Sequence, residues 1–357
     1  MPINDVYMFL GFCLAAYSIV ANDAIQTLGT FLSSNAHRPW WVLWIYACSI
    51  LLVVFVYGWY VNFGDVTYGR LAKFPEPAMG FTWLHIIPPI FILILTRYGV
   101  PVSTTFLILT IFVPSNMGAV LLKSVYGYVL AVGVAVAIYF FVTRTVERYF
   151  IETHDKPVSK WWVALQWGST GFLWSQWLIQ DLANIFIYMP RHLSLHLLFF
   201  AVLVLLTLHA VLFYFRGGAI QGIVTSKTNT QDIRSATIID FLFGFILLFF
   251  KEYSNMPMST TFVFLGLLAG REFALTLRLN HREMKETGKV VATDVIKAGI
   301  GLGVSVVLAL TLPLLYKRVE GVTGDVPTAQ ATEPATNAAG PALLHELAQA
   351  NAAPSQN

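Results

Sequence analysis

Two aspartates lie inside apolar stretches, each flanked by amides. Asn22-Asp23-Ala24-Ile25-Gln26 reads amide, acid, two small or apolar residues, amide, and Gln180-Asp181-Leu182-Ala183-Asn184 repeats that order. A carboxylate inside a membrane-length segment costs about 2.5–3.5 kcal/mol on insertion scales, which marks it as a functional candidate. Helical spacing puts Asp23 with Gln26, and Asp181 with Asn184, on one face. Carboxylate and amide oxygens suit a hard cation such as sodium, and amide N–H groups can donate to an anion. A single such Asp could equally cap a broken helix or pair with a neighbour. A matched pair favours the functional reading.

A second motif is also duplicated. Pro101-Val102-Ser103-Thr104-Thr105-Phe106 recurs as Pro257-Met258-Ser259-Thr260-Thr261-Phe262. Proline suits the first turn of a helix, and the start of a helix leaves free backbone N–H groups at the positive end of a dipole. With three hydroxyl residues beside them, these groups can cradle an oxyanion. Plain N-capping explains one copy, but two copies call for more. The Asp motifs are 158 residues apart and the Pro motifs 156, so both repeat in order at nearly one offset.

Other candidates are weaker. Arg97 precedes the first Pro motif and its fork of donors is a possible anion contact. Lys251 and Glu252 precede the second. His192, His196 and His209 have spacing that a metal or haem could use, but the first two sit at a membrane edge beside Arg191 and read as interfacial. No phosphate-binding Gly-rich loop, CxxC pair or nucleophile elbow is present, so no enzyme and no cofactor are expected.

These residues need a membrane scaffold. The chain of 357 residues is 57% hydrophobic and only 11% charged, which excludes an ordinary soluble enzyme, where roughly 25% is charged. The net charge of +3 is too small to argue for nucleic acid. Cys13 and Cys48 both lie in apolar runs and read as small buried hydrophobes. Met1 to Asp5 lacks a basic segment, so the run after it reads as a first span rather than a secretory signal.

A crossing needs roughly 20 apolar residues. Six runs qualify: 6–31, 40–61, 122–143, 161–187, 195–215 and 291–316. Four shorter runs, 83–96, 102–115, 238–250 and 258–270, form two pairs, each joined by a polar link containing proline. Each pair reads as a re-entrant hairpin, over 83–115 and 238–270, whose tip needs protein or water at membrane depth.

The expected fold is therefore an all-α polytopic membrane protein. Residues 1–143 form one repeat and 161–316 an inverted one, each with a broken helix and a hairpin. A linker at 144–160 joins them, and 317–357 is a disordered tail in which 342–350 has weak helical character. Thirteen basic residues fall on the linker side and six on the side of the termini, which puts the linker in the cytoplasm and both termini outside the cell (inner) membrane.

The motifs resemble those of the inorganic phosphate transporter (PiT) family of sodium- or proton-coupled permeases. Ala21-Asn22-Asp23 with Leu28-Gly29-Thr30, and Asp181, Ala183 and Asn184, follow the family's two Asn-Asp motifs. Residues 101–105 and 257–261 follow its Pro-Val-Ser-Thr-Thr motif, with Met258 for Val. The resemblance spans about 10–315. It departs at Gln26 and Gln180, which replace Asn, and at Phe106 and Phe262, which replace His.

The resemblance implies phosphate import by symport with sodium or a proton, alternating access at a midplane site, and a plausible homodimer. Asn22, Asn184, Ser103, Thr104, Thr105, Ser259, Thr260 and Thr261 would bind substrate. Asp23, Asp181, Gln26 and Gln180 would bind the cation. Sulfate is the alternative substrate, because sulfate permeases share the family, and a non-transporting anion receptor is the alternative class.

Overall fold

In the computed structural model, the described residues are 2–77, 80–142, 146, 148–153, 156–217, 232–253, 257–279 and 283–320. Apolar runs become helices whose buried face follows the 3.6-residue period. The helix α3 (Trp40–Val61) matches its predicted run residue for residue. It turns Leu43, Ala47, Leu51, Phe55 and Gly58 inward, and leaves Val53, Tyr57 and Tyr60 at 60–77% exposure on the other face. An outward face of that composition suits lipid.

The first predicted span forms α1 (Ile3–Ile19) and α2 (Ile25–Ser34), joined by a π-helical turn at Val20–Ala24. The expected break is thus a widened turn, which carries Asp23. Then follow α4 (Ile87–Arg97), α5 (Thr104–Phe112), α6 (Met117–Val142), α7 (Arg148–Glu152), α8 (Lys160–Phe186) and α9 (Leu195–Tyr214). The chain continues with α10 (Ile233–Tyr253), α11 (Thr260–Leu279) and α12 (Met284–Glu320).

The structure corrects several expectations. In the second half, α8 runs unbroken through Asp181. The arms of the first hairpin, α4 and α5, have 11 and 9 residues and are too short to cross. Those of the second, α10 and α11, have 21 and 20. These helices extend past the apolar runs of 238–250 and 258–270 because they also bury polar side chains, among them Arg234, Ser235, Arg271 and Thr276. The last helix reaches Glu320, into the predicted tail, whereas 321–357 lie outside the described residues.

Among the described residues, seven helical segments are long and apolar enough to cross a membrane: 3–34, 40–61, 117–141, 195–214, 233–252, 260–278 and 284–315. The chain is a multi-pass membrane protein. The helix α8 has crossing length but a more polar composition; its Gln166, Thr170, Gln180, Asp181 and Asn184 are buried against protein rather than lipid.

Close backbone approach holds the bundle together. The helix α11 lies along α6, and Gly266 and Gly270, four residues apart, make that possible. A Cβ on Gly266 would stand 2.5 Å from the Tyr128 carbonyl oxygen, and one on Gly270 would stand 2.5 Å from that of Val132. Small residues at this spacing let helices pack in lipid, where no hydrophobic effect drives them together. The pair α8 and α10 packs similarly at Gly244, against Phe172 and Leu173.

Candidate functional site

The two Pro motifs and the two aspartates meet in one buried cluster. Ser103 starts α5 by accepting a hydrogen bond from the Phe106 backbone N–H at 3.1 Å. Ser259 does the same for Phe262 at 3.2 Å, at the start of α11. These serines are the N-caps, so Pro101 and Pro257 stand two residues before them rather than in the first helical turns, and the capping fixes the threonines that follow.

The threonines then reach both halves. Asp23 accepts from Thr104 of its own half and from Thr261 of the other, the latter at 3.1 Å. Asp181 accepts from Thr260 of its own half at 2.6 Å and from Thr105 of the other at 3.5 Å. The crossing is reciprocal again at the backbone: Thr261 donates to Val102 O, and Thr105 to Met258 O, both at 3.1 Å. Residues at matching motif positions therefore make matching bonds.

The amides divide. Asn22 donates to Asp23 at 2.7 Å and to Val102 O at 3.2 Å, and its own oxygen accepts from Thr96 at 3.2 Å. Asn184 donates to Asp181 at 3.0 Å and to Thr105 at 2.9 Å. Gln180 instead ties its amide nitrogen to Leu247 O in α10 at 3.0 Å. Gln26 is half-buried, and the hydrogen bonds of Asp23 go elsewhere. The π turn alters the spacing that would have put Gln26 beside Asp23. Arg97 is exposed on the last turn of α4, away from these bonds.

Two features of the cluster bear on its chemistry. First, Asp23 and Asp181 are fully buried and close enough to repel each other. Two carboxylates in a low-dielectric site need cations or protons to offset that repulsion. Secondly, the side-chain oxygen of Asn184, whose amide nitrogen bonds to Asp181 and Thr105, is buried without a hydrogen-bond partner. An unsatisfied acceptor beside carboxylates and hydroxyls makes an oxygen-rich environment that fits a hard cation such as sodium.

Arg70, which the sequence did not single out, lies in the connection between α3 and α4. It is 2% exposed, and its charge interacts with that of Asp181. Burial pulls its guanidinium down to about 10, and the Asp181 carboxylate opposes the shift. The guanidinium remains charged at neutral pH.

Asp240 is a third buried carboxylate, outside the repeated motifs. Asp240 in α10 accepts from Thr30 and Thr170, joining α2, α8 and α10. It sits inside the run 238–250, so the rule that flagged Asp23 could have found it. Its threonine partners lie far away in sequence. His192 and His196 are exposed and His209 is buried against Trp174, so the three do not converge. Among the described residues, no group of three or more His, Cys, Asp or Glu could hold a metal ion.

The described residues thus form a helical membrane bundle in which two capped helix starts meet at two buried carboxylates. No family model and no curated protein matches the chain by sequence. A solved structure described as "The sodium-dependent phosphate transporter" shares the fold, with a TM-score of 0.57 at 16% identity, over 88% of this chain and 100% of that one.

Proposed function

We propose that the protein is a secondary active transporter that imports inorganic phosphate by cation symport, with sodium as the coupling ion. The observation that carries this reading is the reciprocal bonding of Thr104, Thr105, Thr260 and Thr261 to two buried carboxylates from opposite halves. The fold shared with a sodium-dependent phosphate transporter supports it further.

The chemistry follows from those bonds. Without cations, the threonine protons are committed to Asp23, Asp181 and two carbonyl oxygens. A cation on each carboxylate, completed by Asn22, Asn184 and threonine oxygens, offsets the repulsion and releases hydroxyl protons. Those protons, with the free N–H groups at the starts of α5 and α11, then face an oxyanion. Cation and anion each raise the other's affinity, and that linkage is what symport requires. Cation charge also offsets the roughly 2.3 kcal/mol per charge per 100 mV that opposes anion entry.

The two halves, as inverted repeats, would alternate access by rocking about this midplane site. In the cell membrane the linker faces the cytoplasm and the termini face outward, in keeping with the basic-residue bias.

The test is uptake of labelled phosphate and labelled sulfate into proteoliposomes under a sodium gradient, a proton gradient or none. Phosphate accumulation driven by sodium is expected. Sulfate accumulation in its place would change the substrate, and proton-driven accumulation would change the ion. Binding of either anion without flux would favour a receptor.

A further inference from the structure

Arg70 is held by a connection that is itself well fixed. Asp65 accepts from the Thr67 backbone and hydroxyl at 2.7 and 2.6 Å and from the Gly69 N–H at 2.8 Å. Tyr68 and Gly69 take positive φ values of 54° and 73°, a strained turn for tyrosine that its hydroxyl anchors on Val54 O of α3 at 2.5 Å. Beyond the turn, Arg191 donates to Phe74 O at 2.7 Å and clamps the connection to the end of α8.

The side chain so positioned is buried, yet its Nε and Nη2 have no hydrogen-bond partner. Leaving charged donors unsatisfied is costly, and a ligand that meets them recovers the loss. The surroundings favour an anion. Lys123 of α6 interacts with the charges of both Arg70 and Lys73, and Lys73 is exposed. The residue after Lys123, Ser124, accepts from the Ser259 N–H at the second tip at 3.0 Å. Basic side chains therefore gather here, with Lys73 at the surface, Arg70 buried and Lys123 within range of both charges. Such a group attracts anions.

We propose that the Arg70 guanidinium is the charged ligand of the transported oxyanion, helped by the attraction of Lys73 and Lys123. The assignment rests on the transporter reading. Its fork matches a tetrahedral oxyanion through two parallel N–H donors, which a lysine cannot reproduce.

The experiment compares full-length wild type, Arg70→Gln and Arg70→Lys in proteoliposomes. Initial rates of labelled phosphate uptake are titrated against phosphate and, separately, against sodium. Arg70→Gln is expected to raise the phosphate KM by about 10- to 100-fold, the usual worth of hydrogen bonds to a charged group. Arg70→Lys is expected to recover only part of that loss, and at phosphate concentrations saturating for each variant the half-saturating sodium concentration does not rise.

A phosphate KM within about twofold of wild type in Arg70→Gln overturns the assignment alone. So does full recovery in Arg70→Lys, which would make Arg70 merely a counter-ion for Asp181. If Arg70→Gln fails to fold, the KM of Arg70→Lys decides between these outcomes. A wild-type protein that neither moves phosphate nor is thermally stabilised by it overturns both this assignment and the transporter reading.

Discussion

Replacing Asp23 by Asn tests the cation role of the cluster with almost no change of shape. Asp23 receives Thr104 on one oxygen and Thr261 and Asn22 on the other. Asn keeps one acceptor and turns the other into a donor, so one set of hydroxyl and amide bonds must rearrange. It also removes the charge. A cation about 4 Å from a carboxylate gains about 4 kcal/mol at an effective dielectric of 20, which is roughly a thousandfold in affinity. The assay is thermal unfolding of detergent-solubilised protein titrated with NaCl against choline chloride at constant ionic strength. Each bound sodium should stabilise wild type by about 2.7 kcal/mol at a concentration 100 times its Kd. Asp23→Asn should lose the share due to the cation on its own carboxylate and keep at most that of the cation on Asp181. A variant that folds and keeps the full sodium-specific stabilisation of wild type would refute the reasoning, because no thousandfold electrostatic contribution could then have been removed.

Further predictions concern the scaffold and the third buried carboxylate. Gly270→Leu should lower the thermal midpoint sharply or prevent folding, since its first side-chain atom already meets the Val132 carbonyl oxygen. Gly288→Ala in α12 has open space around it and should be neutral or stabilise by up to about 1 kcal/mol, measured in the same unfolding assay. Asp240→Ala strands two buried hydroxyls, Thr30 and Thr170, and should cost about 1–3 kcal/mol for each one left unpaired. Adding Thr30→Val and Thr170→Val to Asp240→Ala should recover part of that loss.

Much of this arrangement was legible in the sequence because it depends on local rules. An apolar run bounded by Pro39 and Asn62 yields α3 directly. The Pro motifs do mark helix starts, since Ser103 and Ser259 act within three residues of themselves, although the helices begin three residues after each proline rather than at it. What escaped is tertiary. Gln26 was assigned a face by ordinary helical spacing, which the π turn at Val20–Ala24 changes. The second hairpin's arms were drawn too short because apolar runs end at polar residues, whereas helices continue where protein buries them, as at Arg234 and Arg271. Arg70 sits in a connection with no periodic signal, and only packing shows that it is buried near Asp181. The joining of Thr105 to Asp181 and of Thr261 to Asp23 spans 76 and 238 residues, a distance over which spacing carries no information.

The most direct test of cation–anion coupling at this site uses the anion gradient to drive the cation. Proteoliposomes are given an inward phosphate gradient and trace labelled sodium at equal concentration on both sides, and sodium accumulation is followed. The account predicts that the phosphate gradient alone drives sodium inward and that Asp23→Asn and Asp181→Asn abolish the effect. Phosphate entry with no accompanying sodium movement would contradict it.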